Sequence, residues 1–475
     1  MESIKKTFGK CLIAIACALT ITSCGSDSKD DEPVGPQQKL TLRTQSIADN
    51  SSVDAASTKS IVLSYNNLIE IKDAAGITLN GAKADASASG MDLTIDLNLE
   101  PWKEYSLELK AGAIAVKGND KAVSESKTII FDTKYGKDPN ADPTATVAKT
   151  LVNSKATKET VNLYNLLLEN YGKKIFSGTM GGVALETGYY DMVANGTGLN
   201  PAIIGFDFIH LGWSPANWID YTKINVVKES WDKGRIISFC WHWNVPDSEA
   251  NVGNPSNYNA RNKFSAKNAV TPGTWENDFI NKDLEKVAET LKMYQDSGIP
   301  ILWRPLHEAA GDYKWGAWFW WGFEGVEATK DLWKYMYNKL TNEYGINNLI
   351  WVWTMQCSDE GRPASIDKLR GAYPGDEYVD IVGADIYPQK VGESTNAQFN
   401  LMNEAINGKK MLTLSEVGLF PSFELAEKDG CLWSYFMQWY DDDANQDGYQ
   451  PGVSDFNTLK TWKDVMSEPI VINAR

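Results

Sequence analysis

The sequence predicts an α/β protein: a (β/α)8 barrel preceded by a small all-β sandwich. Three observations carry this expectation. In residues 39–135 apolar side chains alternate with polar ones at period two, as in Met91, Leu93, Ile95, Leu97 and Leu99, the signature of half-buried strands. In residues 146–475 the pattern changes to short apolar runs separated by helix-like segments, which is how a barrel of alternating strands and helices reads. Between the two, residues 136–145 contain Gly136, Pro139 and Pro143 among polar neighbours, the composition of a linker.

Taken from the start, Lys5, Lys6 and Lys10 precede a short apolar stretch at residues 11–21. Residues 1–23 therefore read as a targeting signal, too short to persist as a bilayer-spanning helix. The run Ile21-Thr22-Ser23-Cys24 resembles a bacterial lipobox, which implies cleavage before Cys24 and lipidation of its thiol. Residues 24–38 form a polar, acidic tether. Its Ser-Asp-Ser-Lys-Asp-Asp-Glu tract resembles those that send lipoproteins to the outer surface, so the expected location is the outer membrane, facing outward, with a lipid anchor as one partner.

In the sandwich, residues 60–65 and 128–131 and the alternating Tyr105, Leu107 and Leu109 are further strand candidates. Asn80-Gly81 and Gly118-Asn119-Asp120 are turn signals between them. A stretch of this size with short strands suggests an immunoglobulin-like fold. It gathers no catalytic residues, so a spacer role is expected, with sugar binding as the alternative. The barrel strands are expected at residues 174–177, 202–208, 235–241, 299–306, 349–353, 379–386, 410–416 and 432–436. Helices are expected at 157–171, 283–297 and 329–344.

Composition narrows the function. A net charge of −16 argues against nucleic acid, whose phosphates require a basic face, and against polyanionic polysaccharides; a neutral polymer is not repelled. Of six Cys, only Cys240, Cys357 and Cys431 lie beyond the signal and Cys24. Three thiols without a Cys-x-x-Cys pair suggest neither a disulfide framework nor a zinc site, so buried free thiols are expected. Eight of the 18 Trp lie between Trp303 and Trp353, so aromatic surface is concentrated in one place.

Barrel enzymes carry their chemistry at the carboxyl ends of the strands. Those ends hold Asp207 with His210 just beyond, His242 and Trp243, His307 and Glu308, Asp385 and Tyr387, Glu416, and Trp439. Pro305 cannot donate a ladder hydrogen bond, so the fourth strand should stop there and leave His307 and Glu308 at its tip. Indoles, an imidazole and carboxyl groups at a strand tip suit a sugar: aromatic faces for the rings and a carboxyl for proton transfer. The competing reading is a Trp-rich loop beside a buried ion pair of Arg304. Glu308 and Glu416 on strands four and seven could approach across the mouth, as glycoside hydrolysis requires. Asp207 and Asp385 rank second, as partners of Arg304 or of a hydroxyl. The three His carry no metal-ligand spacing, so no metal and no cofactor are expected. Asp443-Ala-Asn-Gln-Asp-Gly448 opens like a calcium loop, but Ser454 stands where a bidentate Glu is needed, which favours an acidic turn.

At this point the residues resemble glycoside hydrolase family 26. The resemblance rests on Arg304-Pro-Leu-His307-Glu308, Trp318-Phe-Trp-Trp-Gly322, Trp241-His242-Trp243, Gly383-Ala-Asp385-Ile-Tyr387 and Ser415-Glu416-Val-Gly418, and covers residues 146–475. It implies a retaining (β/α)8 enzyme, most often an endo-β-1,4-mannanase, acting on mannan, glucomannan or galactomannan. By the same resemblance Glu308 is the acid/base and Glu416 the nucleophile. His307 supports the nucleophile, His242 contacts the sugar, Tyr387 bonds near the nucleophile, and Trp243 and Arg304 are counted with them as substrate-binding residues. Trp318 and Trp439 line the subsites. Residues 312–317 look like an insertion, which leaves Trp315 as a rival to Trp318. Action on mixed-linkage glucan or xylan stays open, as does a non-catalytic glycan-binding lipoprotein, although both carboxylates are present. A monomer is expected.

Overall fold

The structure, a computed structural model, describes residues 39–474 apart from 56, 101–102, 134–141, 256, 260–261, 310–316, 356–357, 360–361 and 441–455. Cys24, Trp102, Gly136, Pro139, Trp315, Cys357 and the Asp443–Gly448 loop lie outside the described residues. Contacts divide the chain into a smaller unit containing Thr58–Asn98 and Tyr105–Phe131 and a larger one containing Asp132–Arg475.

The smaller unit is all-β. One sheet runs in the order Leu42–Gln45, Ser60–Tyr65, Asp92–Asp96, Ala86–Ser89. Another has Lys127–Asp132, Glu104–Leu109 and Ile77–Leu79 side by side. The pairings between these strands that are resolved in register are antiparallel. The expected alternation holds in burial: Ile61, Leu63 and Tyr65 point inward, as do Leu93 and Ile95, and Tyr105, Leu107 and Leu109. Met91 does not follow it, because it lies beside the Gly90 turn and is exposed. Asn80 and Gly81 both take positive φ (49° and 77°), the paired left-handed residues that close a two-residue hairpin with the twist strands need.

In the larger unit eight strands close a barrel: β1 (Gly178–Met180), β2 (Ile203–Asp207), β3 (Ile236–Trp241), β4 (Ile301–Pro305), β5 (Leu349–Met355), β6 (Ile381–Ile386), β7 (Met411–Val417) and β8 (Phe436–Gln438). Neighbours are parallel, and β1 to β5, β7 and β8 are buried along their whole length. Burial on both faces is why these strands read as continuous apolar runs. Helices stand between them, several with side-chain caps. Thr157 accepts from Thr160 N ahead of Lys158–Asn170, and Thr274 from Asn277 N ahead of Trp275–Asp296. The second of these begins well before the expected residue 283.

Two strand expectations are corrected. Of residues 174–177, Ile175–Phe176 pairs in parallel with Val471–Ala474, and the barrel strand follows at Gly178. A Cβ at Gly178 would lie 2.6 Å from the Phe436 carbonyl oxygen, so this close approach of β1 to β8 admits only glycine. Residues 432–436 are buried mostly outside the barrel: Trp433 packs on Phe399 and donates its indole N–H to Thr395. The strand itself starts at Phe436.

Candidate active site

β4 delivers Leu306, His307 and Glu308 to the carboxyl end of the barrel. Leu306 and Glu308 both have left-handed backbones (φ 51° and 47°), which costs non-glycine residues about 1–3 kcal/mol each and persists only where surroundings enforce it. Part of that enforcement is the Trp321 indole, which donates to the His307 carbonyl at 2.9 Å.

Glu308, Asp385 from β6 and Glu416 from β7 each place a carboxylate oxygen within 4.8 Å of the others. Arg304, buried behind them on β4, donates to Asp385 Oδ2 at 2.9 Å and to Glu416 Oε1. Ser415 donates to Asp385 Oδ1 at 2.7 Å, and the Tyr387 hydroxyl to Glu416 Oε2 at 2.8 Å. Tyr387 is 39% exposed as a residue, but its hydroxyl end is bonded inside this cluster. Gly418 makes room for it, since a Cβ there would lie 2.7 Å from the Tyr387 ring.

One guanidinium thus serves three carboxyl groups, and it is bonded to two of them. Glu308 is the one left over. Burial pushes its carboxyl well above the usual range, the negative charges of Glu416 and Asp385 push further, and Arg304 offsets only part. The cluster therefore holds a protonated Glu308 beside Glu416, whose two oxygens accept hydrogen bonds from Arg304 and Tyr387. A proton donor beside an oriented carboxylate is what glycosidic bond cleavage uses.

His242 follows β3. Its backbone N–H donates to Asp207 Oδ1 at 3.0 Å and its Nδ1 pairs with Asp207 Oδ2 at 2.6 Å. Burial pushes the Asp207 carboxyl up, but the charge and hydrogen bonds of His242 outweigh it and hold the group below its usual range. The rings of His307, Tyr258, Phe319 and Trp439 surround His242 at centroid distances of 4.6, 5.1, 5.5 and 5.6 Å. His307 is fully buried, and burial followed by the charges of Arg304 and His242 pushes its pKa far down, so it is a neutral ring.

Several expected roles change. The bonds that hold Glu416 come from Arg304 and Tyr387, while His307 packs against His242, Phe319 and Trp321. Arg304, expected to bind substrate, is buried and directs its bonds to Asp385 and Glu416 instead. Trp243 offers no face to a ligand. It is buried, stacked on Trp241 at 4.0 Å, and donates its indole N–H to Asp283 at 2.7 Å. Trp320 and Trp321 are buried as well, so of residues 318–321 only Trp318, at 45% exposure, presents a broad surface. Trp439 is half-buried against Tyr440. His210 lies beyond β2 against Trp213 and Trp218. Asp385 and Asp207 carry more than the secondary weight expected of them. Ser415, Tyr258 and Phe319 carried no expected role, and nothing in the spacing of Tyr258 marks it, since it lies in no helix or strand.

Two clusters hold three potential ligand atoms each within 4.8 Å: Asp207, Cys240 and His242, and Glu308, Asp385 and Glu416. In the first, Asp207 is occupied by His242, and burial keeps the Cys240 thiol protonated. In the second, Arg304 already supplies the cation. Neither donor set suits an added metal ion.

Residues 152–467 match the family model described as glycosyl hydrolase family 26. Mannan endo-1,4-beta-mannosidase B of Piromyces sp is 38% identical over 68% of this chain and 54% of its own length. The chain spans about half the length of the curated relatives it matches first. The GH26 domain of an endo-beta-mannanase/endo-beta-glucanase from Prevotella bryantii is 35% identical, covering 69% of this chain and 98% of that one, with a TM-score of 0.60. A beta-mannanase from a symbiotic protist of the termite Reticulitermes speratus, complexed with gluco-manno-oligosaccharide, is 32% identical, covering 69% and 97%, with a TM-score of 0.59.

Proposed function

The chain belongs to glycosyl hydrolase family 26, and on that footing we propose that it is an endo-β-1,4-mannanase that cuts internal bonds of neutral mannans with retention of configuration. The observation that carries this reading is the carboxyl cluster: three acids within 4.8 Å of one another, one guanidinium, and a Glu308 held protonated. The short Glu308–Glu416 approach suits a retaining pair, about 5–5.5 Å apart, better than the roughly 6.5–9.5 Å that an inverting enzyme needs to seat a water. Glu416 attacks the anomeric carbon while Glu308 gives its proton to the leaving glycosidic oxygen. Water then gives a proton back to Glu308 as its oxygen attacks that carbon and expels Glu416. Arg304 and Tyr387 orient the nucleophile, His242 contacts the sugar, and Trp318 and Trp439 line the cleft. The acidic chain, at −16, suits an uncharged polymer. The likeness to mannan endo-1,4-beta-mannosidases and to a beta-mannanase complexed with gluco-manno-oligosaccharide supports this substrate class.

Reducing-end assays on galactomannan, glucomannan, xylan and mixed-linkage glucan decide the substrate. Preference for either of the last two overturns the mannanase reading. The proposal extends to location. Cys24 carries lipid and anchors a monomeric enzyme on the outer membrane, residues 24–38 act as tether, an Ig-like sandwich at 39–135 as spacer, and 136–145 as linker to the catalytic residues 146–475. The lipobox and acidic tether support the anchor.

A further inference from the structure

Glu416 and the residue before it both turn toward the carboxyl cluster, which an unbroken strand does not allow. Successive side chains of a strand face opposite sides. Yet Ser415 donates to Asp385 Oδ1 at 2.7 Å while Glu416 accepts from Arg304. The register between β6 and β7 accounts for it. Ala384 pairs with Leu414 and Asp385 with Glu416, so Ser415 is an extra residue on β7. Such a bulge re-aims a side chain. On β6, Gly383 leaves the space, since a Cβ there would lie 2.4 Å from Ser415 Oγ. A hydroxyl has one proton to donate, and here the Asp385 carboxylate takes it. In the 3.3 Å contact between Ser415 and Thr354 of β5, the donor is therefore Thr354. Both residues are buried, so bulk water does not replace either hydroxyl.

Asp385 divides its oxygens: Oδ2 accepts from Arg304 at 2.9 Å and Oδ1 from Ser415. Charged and titratable groups face it from several elements. These are Arg304 on β4 and Glu308 past its end, Tyr387 past β6, Glu416 on β7 and Tyr435 ahead of β8. Burial pushes the Asp385 carboxyl up, Arg304 pulls it down, Glu416 pushes it up again, and the Ser415 hydrogen bond pulls it down. A neutral Asp385 would leave Arg304 to Glu416 alone, and a carboxylate whose charge is fully met is a weaker nucleophile.

We propose that Ser415 is a positioning residue for the hydrolysis: bulged out of β7 and backed by Thr354, it holds Asp385 as an anion and so keeps Arg304 shared between Asp385 and the nucleophile. The proposal rests on the glycosidase reading, with Glu416 as nucleophile. Its test is the pH profile of kcat/KM for Ser415→Ala, measured on whichever of galactomannan, glucomannan, xylan and mixed-linkage glucan the wild type cleaves best. Thr354→Val is a second variant, and circular dichroism checks the fold of both. Without the hydroxyl the Asp385 anion is less stable, so it takes its proton at a higher pH. The acid limb should therefore move up by about one pH unit in Ser415→Ala, with the loss largest at low pH and shrinking as pH rises. Thr354→Val should move it in the same direction by less. An acid limb that stays in place overturns the proposal. So does a loss by one factor at every pH, which is what a loosened bulge alone would give. If Ser415→Ala does not fold, Thr354→Val, which leaves β7 intact, decides. A preference for xylan or mixed-linkage glucan overturns the mannanase reading and leaves this test standing, whereas a wild type that cleaves none of these polymers overturns both.

Discussion

Removing Glu308 tests the division of labour in the carboxyl cluster most directly. Glu308→Ala deletes the one carboxyl that Arg304 does not bond, so Arg304 and Tyr387 still hold Glu416 and the nucleophile stays oriented. What is lost is proton donation to the leaving oxygen. General acid catalysis contributes roughly 10²–10⁴-fold, and a sugar leaving group needs all of it. Turnover of galactomannan should therefore fall by about three orders of magnitude. An aryl manno-oligosaccharide whose phenolate leaves unaided should still form the glycosyl-enzyme and then stall, because no base activates water. Steady-state rates with and without azide, and NMR of the product, read this out. Azide fits where the carboxyl stood, needs no base, and should restore turnover while giving a β-configured azide. Ordinary activity of Glu308→Ala on polymer, or an α-configured azide, would show that Glu308 is not the acid/base.

Glu416→Ala should abolish hydrolysis of polymer and aryl substrates alike; measurable ordinary activity would move the nucleophile elsewhere. Tyr387→Phe removes one of the two donors to Glu416, and a hydrogen bond to a charged group is worth about 1.5–3 kcal/mol. That predicts a loss of roughly 10- to 150-fold in kcat/KM, and a change under threefold would mean the hydroxyl does not act on the nucleophile. Burial raises the Asp283 carboxyl from 3.8 to about 7 against the pull of the Trp243 indole. The folded state then binds its proton more tightly than the unfolded chain, so stability is lost as pH rises from about 4 through 7. Asp283→Asn keeps an acceptor for Trp243 without the charge and should narrow the difference in Tm between pH 5 and pH 8; an unchanged difference refutes the assignment. Cys24→Ala should move the protein from membranes to soluble fractions, and a variant that still sediments places the anchor elsewhere.

The barrel was legible because parallel strands buried on both faces leave runs such as residues 203–207 and 349–355, which no loop imitates. It failed where apolar residues are buried by something other than the barrel: Ile175 and Phe176 by the C-terminal strand, Trp433 by Phe399 and Thr395. The carboxylates were legible for a topological reason, since strand ends in a barrel converge on one mouth whatever lies between them. The aromatic residues were legible only as a group. Trp243, Trp318, Trp320 and Trp321 are alike in sequence, yet three are buried braces and one is surface. Composition reports the residue type and not the side that faces water. The pairing of Asp207 with His242 left no signal, because it joins two strand ends thirty-five residues apart.

The pH profile should carry the signature of the charge balance in the cluster. In the free enzyme Glu308 is surrounded by Glu416 and Asp385 against one guanidinium, and its carboxyl is raised by burial and by those charges. Once Glu416 becomes a glycosyl ester it is neutral, and one of the two charges holding the proton on Glu308 disappears. Burial and Asp385 remain, Arg304 is now shared less, and Glu308 can ionise to activate water. The alkaline limb of kcat/KM, which reports the free enzyme, should therefore come from loss of the Glu308 proton as pH rises. When breakdown of the intermediate limits kcat, as on aryl substrates, the demand reverses and activity should fall on the acid side, where Glu308 is protonated. In Glu308→Ala both features should vanish on aryl substrates. An alkaline limb that persists at the same pH in that variant would assign it to another group and remove the charge-balance account of how one carboxyl serves as acid and then as base.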